Sequence, residues 1–134
     1  MPRKKKLTFV TDTKDNRKYE KLCENIFGVD PNVRFAAVYD KEYSKLAGGM
    51  RKGLVSYFTD EQREEAITHQ FNSWKIFHIL QKHVGEPQYS AVRFDRAILL
   101  SFFLDVSKLL FVSLEPIAQF DTNLKKIQGH IMRL

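Results

Sequence analysis

The chain reads as an α+β domain in which a five-stranded antiparallel sheet carries helices on both faces. Three observations predict this. Residues 33–51 run apolar, then polar and turn-like at Asp40-Lys41-Glu42-Tyr43, then apolar again, which is the pattern of a β-hairpin. Residues 98–104 and 109–112 are almost continuously apolar, as strands covered on both faces are. Three amphipathic patterns, at 15–27, 59–82 and 120–134, each present an apolar stripe that needs a surface to cover it. The expected element order is α-β-β-α-β-β-β-α, with the strands in spatial order 2-1-5-4-3. The long middle helix should lie on one face and both terminal helices on the other.

Taken in order, residues 1–14 begin with the basic run Arg3, Lys4, Lys5, Lys6 and lack periodicity, so a partly disordered tail is expected before a single domain over 15–134. Tyr19, Leu22, Cys23 and Ile26 recur at helical spacing, with Gly28 as a stop. Residues 33–39 form the first strand. The second, 44–50, contains Gly48-Gly49, which marks an edge, a bulge or a close backbone approach, and it is placed at a sheet edge.

Thr59-Asp60-Glu61-Gln62 fits a capping box opening the long helix, which Gly85 and Pro87 end. Ile67, Phe71, Trp74 and His78 make one stripe of that helix, so His78 is expected to be partly buried. Ile76, Ile79 and Leu80 fall well away from the stripe. Strands 89–94, 97–104 and 108–115 follow with connections short enough for an antiparallel meander. The last two should be the most buried. Phe120, Leu124, Ile127, Ile131 and Leu134 then define a docked terminal helix, with Asp121-Thr122 as its cap. Each buried side chain of that stripe is worth about 1.5–3 kcal/mol before entropy is charged against it.

Composition bounds the function. The 134 residues suffice for one domain with its own core, and eleven Phe and five Tyr make that core rich in rings. The single cysteine, Cys23, forms no internal bridge, and a reducing, cytoplasmic setting is expected. The net charge is +6, but Arg3, Lys4, Lys5 and Lys6 supply four of the 22 basic residues, leaving 18 against 16 acidic ones in the rest. The folded part is close to balanced. The longest apolar runs are interrupted by Ser101 and too short to span a bilayer.

No residue pattern points to catalysis, a metal or a cofactor. His69, His78 and His83 share the long helix at spacings that do not bring them to one face, and His130 has no companion. Cys23 lacks a base or cation placed to lower its pKa, since Lys21 does not face it on a helix. Gly48-Gly49-Met50-Arg51-Lys52-Gly53 lacks the spacing of a phosphate-binding loop. Asp60, Glu61, Glu64 and Glu65 complement the dipole of the helix they open. Arg3, Lys4, Lys5, Lys6, Arg51 and Lys52 remain as candidate contacts to an anionic partner.

The strand end Val38-Tyr39-Asp40, the turn, and the return strand Leu46-Ala47-Gly48-Gly49, set in this element order, resemble the roadblock family, the dynein light-chain type of small α/β domain. The resemblance covers residues 15–134, and profilin-like, longin and PAS-like domains share parts of the topology. Arg34-Phe35-Ala36-Ala37-Val38-Tyr39-Asp40 and Ala47-Gly48-Gly49-Met50-Arg51 also look like small uncharacterised archaeal proteins, which brings no function with it. The roadblock resemblance implies a non-catalytic dimerising module that scaffolds or regulates small GTPases or motor complexes. It also implies an interface built by the long helix and the following strand, here 59–82 and 89–94. The apolar positions off the main stripe and the free strand edge point to the same place, and the expected interface residues on these two elements are Trp74, Ile76, Ile79, Leu80, His83, Tyr89, Ala91 and Arg93. Two other readings compete: a nucleic-acid-associated protein using the basic tail, and a ligand-sensing PAS- or profilin-like domain with a pocket lined by Phe71, Trp74 and Phe111.

Overall fold

In the computed structural model the backbone is described over residues 5–116 and 119–134, and side chains from residue 16 onward within those ranges. The elements are α1 (Lys5–Phe27), β1 (Val33–Asp40), β2 (Lys45–Met50), α2 (Asp60–Val84), β3 (Ser90–Arg93), β4 (Ile98–Asp105), β5 (Lys108–Leu114) and α3 (Phe120–Met132). The five strands form one sheet in the order β2-β1-β5-β4-β3, every neighbouring pair antiparallel. Element order, strand order and the distribution of helices between the faces are those the sequence predicts.

The two faces bury different side chains. Tyr19, Leu22, Cys23 and Ile26 of α1 and Leu124 and Ile127 of α3 pack with Val38, Leu100, Phe102 and Val112 on one side. Ile67, Phe71 and Trp74 of α2 pack with Phe35, Ala37, Tyr39, Leu109 and Phe111 on the other. At about 1.5–3 kcal/mol per large buried side chain, each layer is held chiefly by this transfer from water.

Local chemistry sets the element ends. Thr59 Oγ1 accepts the Gln62 N–H at 3.1 Å while Gln62 Oε1 accepts the Thr59 N–H at 3.0 Å, the reciprocal box expected at the start of α2. Gly85, at φ 90, closes α2 by donating its N–H to Gln81 O at 2.9 Å. At the β1–β2 turn, Asp40 Oδ1 accepts the N–H groups of Glu42 and Ser44. Tyr43 there sits at φ 67 with its ring 5.7 Å from that of Phe71.

Several expectations are corrected. The helix expected from Asp15 starts at Lys5, because residues 5–14 are polar enough to give no periodic signal. The disorder expected of the tail falls outside the described residues. The α3 helix begins at Phe120 after Gln119, with no side-chain cap, so Asp121 and Thr122 lie inside its first turn. The most buried strands are β1 and β5, and β4 is less buried than β1. In β4, Leu99 and Phe103 are only half-buried because α2 covers the sheet more fully over β1 and β5 than toward β3. His78 is exposed and pairs its Nδ1 with Gln81 Oε1 at 2.8 Å. No helix among the described residues is long and apolar enough to cross a membrane.

Candidate interaction surface

With Ile67, Phe71 and Trp74 turned to the sheet, the 100° advance per residue carries Ile76 to the opposite side of α2. Ile76 and Ile79 are 58% and 68% exposed, and Leu80 and Val84 are exposed beside them. These four make an apolar stripe on the outer surface of the helix. Among the described residues nothing covers it.

The β3 margin of the sheet also exposes apolar side chains. β3 ends the sheet, paired on one side only, with β4. Val92 stands opposite Leu99 and Ser90 opposite Ser101, which places them on the face toward α2; Ser101 donates its hydroxyl to Gln70 Oε1 of α2 at 2.7 Å. Ala91 and Arg93, opposite Leu100 and Ile98, turn to the α1–α3 face. Tyr89, Val92 and Phe94 are large, apolar and exposed. An edge strand offers unpaired backbone groups, and exposed apolar side chains beside it are a common mark of interaction sites.

Of the expected interface residues, Ile76, Ile79, Leu80, His83, Tyr89, Ala91 and Arg93 are exposed on α2 and β3 or beside them. Trp74 is not. It is 2% exposed and stacks on Phe103 with ring centroids 4.8 Å apart, so it serves the protomer core. Val84, Val92 and Phe94 are exposed on the same two elements or beside them and were not singled out from the sequence. Val84 lies one helical turn beyond Leu80, a spacing that extends the stripe. Val92 and Phe94 sit within the strand already assigned to the edge.

Among the basic candidates, Arg51 is committed elsewhere. Its Nη2 donates to Phe27 O at 2.8 Å and Asp30 O at 2.9 Å, and its Nε to Val33 O at 2.8 Å. It therefore ties the end of α1 to the start of β1 instead of facing an anion. Lys52 is exposed, while the side chains of Arg3, Lys4, Lys5 and Lys6 fall outside the described residues. Phe71, Trp74 and Phe111, the expected pocket lining, lie in one packed cluster with Phe103. A cavity of about 20 Å³ beside Phe111, Arg34 and Tyr57 has room for roughly one water molecule.

Cys23 is buried, and burial, with Glu20 adding to it, pushes its thiol up to about 12. It is held in the protonated, unreactive form at neutral pH. His69, His78 and His83 are all exposed, and no three His, Cys, Asp or Glu side chains among the described residues converge to hold a metal ion.

Residues 12–132 match the family described as "Family of unknown function (DUF6659)". The chain belongs to that family. A comparison with curated proteins returns no match. Among solved structures this DUF6659 chain is similar to "MglB with tetrameric arrangement", with a TM-score of 0.67, 13% identity, and 87% of each chain covered. It is also similar to the Roadblock/LC7 domain from Streptomyces avermitilis, with a TM-score of 0.63, 8% identity, and 85% of this chain and 92% of that one covered. For Acanthamoeba castellanii profilin IA the TM-score is 0.53 at 11% identity, with 86% of this chain and 94% of that one covered. At these identities the likeness is one of fold, and the fold is roadblock- and profilin-like.

Proposed function

We propose that this chain is a non-catalytic interaction module that self-associates through α2 and the β3 edge, and that the resulting dimer presents a surface to a protein partner. The observations that carry this reading are the exposed apolar stripe Ile76, Ile79, Leu80 and Val84 on α2 and the exposed Tyr89, Val92 and Phe94 along the β3 edge. A twofold contact would cover stripe and edge at once, and isologous dimers are the commonest oligomers. The charge pattern of α2 fits such a contact. Asp60, Glu61, Glu64 and Glu65 cluster in its first half, and Lys75 and Lys82 lie in its second, so two antiparallel copies would bring unlike charges together.

The fold supports the reading in a limited way, since one similar structure is described as an MglB in a tetrameric arrangement. A small GTPase is the partner class that the roadblock resemblance implies. A cytoplasmic setting agrees with the unpaired, buried Cys23. Light scattering coupled to size exclusion tests self-association. At micromolar concentration the mass should be twice 15.7 kDa. A strict monomer throughout that range contradicts the proposal.

A further inference from the structure

We propose that Tyr57, in the connection between β2 and α2, is the positioning residue for the β3 edge. It grips the β3–β4 turn through Arg96 and is itself fixed by Arg34. The inference rests on the reading of β3 as the associating edge, and its test separates the two.

Strand β3 spans Ser90–Arg93, is largely exposed and has β4 as its single strand neighbour. A strand so short and so little buried is held weakly by its ladder alone. Its turn is closed by the Phe94 N–H donating to Ala97 O at 2.7 Å. Two arginines then tie this hairpin to the body of the domain. Arg93 Nη2 donates to Pro116 O at 3.2 Å, and the Arg96 guanidinium lies 4.7 Å from the centre of the Tyr57 ring.

The ring is a firm anchor because of what stands behind it. Arg34, 6% exposed, places its guanidinium 4.0 Å from the same ring centre. Arg34 Nη1 donates to Glu115 Oε2 at 2.8 Å and Nη2 to Val55 O at 2.9 Å. One buried guanidinium thus fixes the Tyr57 ring, the backbone beside it and the residue following β5. Guanidinium suits this role because its plane stacks on a ring while its N–H groups remain free to donate. Glu115, Arg34, Tyr57 and Arg96 form a continuous chain of contacts from the centre of the sheet to its β3 margin. An edge ordered in advance loses less freedom when it associates.

The ring, and not its hydroxyl, carries the contact with both arginines. Tyr57→Phe should therefore behave as the wild type, whereas Tyr57→Leu and Arg96→Ala should each release the turn. Amide exchange of residues 90–93 should accelerate about two- to fivefold in either releasing variant, the factor expected for losing one exposed cation–π contact. Self-association should weaken by at least the same factor, while the slowest amides of β1 and β5 and the thermal midpoint stay at wild-type values. Unchanged exchange in β3 overturns the inference. So does acceleration shared equally by β1 and β5, which would make Tyr57 a general stabiliser. Should the wild type prove monomeric, the proposed function fails, and the exchange of residues 90–93 still decides the role of Tyr57.

Discussion

At Gly48 the backbone sits at φ +87, and a Cβ there would stand 2.0 Å from Ala36 O and 2.9 Å from Cys23 Sγ. Both the conformation and the space therefore require glycine. Gly53 has nearly the same backbone, φ +88, yet nothing lies within 4 Å of the Cβ position. The two positions separate strain from crowding. Gly53→Ala should cost about 1–2 kcal/mol, the penalty for an L residue in the left-handed region. Gly48→Ala should cost more than about 3 kcal/mol, because β2 would have to leave β1 or α1 to admit the methyl group. Urea unfolding of both variants measures the difference, and equal costs would show that crowding against Ala36 and Cys23 is relieved without loss.

The same residue shows how the sequence speaks. A Gly-Gly pair inside an apolar run announced an edge strand or a close approach, and β2 is an edge strand with α1 packed closely against it. Arg51, three residues on, carried no such announcement. A basic residue beside glycines reads as a free cation, and only the tertiary structure brings the carbonyls of Phe27, Asp30 and Val33 around it.

Elements with strong local chemistry were legible. The capping box of α2 was visible as Thr59 and Gln62 and forms with both hydrogen bonds. Thr59→Ala should lower stability by about 1 kcal/mol, as removal of a capping hydroxyl does, measured by thermal or urea unfolding. A change below a few tenths would mean that Gln119-like, uncapped starts serve this fold equally well. Strand pairing was legible too, because nearly continuous apolar runs admit only an interior position in a two-sided sheet.

What local pattern did not convey was position. Runs 98–104 and 33–39 are both apolar, and β1 is the more buried because it lies under α2 as well as α1, with the short side chains Ala36 and Ala37 letting both layers close. Trp74 and His78 share one stripe in sequence, but the sheet beneath α2 receives Trp74 and leaves His78 in solvent. The first half of α1 was invisible because it lacks an apolar period. Of the candidate surface, the exposed α2 positions named from the sequence were those that conflicted with its core stripe. The margin residues Val92 and Phe94 were not named, because their exposure depends on where α2 stops covering the sheet.

Across the whole molecule, the sheet is covered on both faces and one long helix is still left apolar on its outer side. Ile76, Ile79, Leu80 and Val84 make no contribution to the core clusters, so among the described residues no contact within the protomer accounts for their apolar character. The proposed self-association would account for it. The most direct test is the double variant Ile76→Glu/Ile79→Glu, examined by light scattering at micromolar concentration together with its thermal unfolding. The expected result is a folded, cooperatively unfolding monomer, because both side chains are already in solvent in the protomer and four like charges would face each other across the contact; its midpoint falls only by the stabilisation that association lends the wild type. A double variant that remains dimeric would contradict it, and so would one that no longer folds, since either result would place Ile76 and Ile79 somewhere other than at the subunit contact.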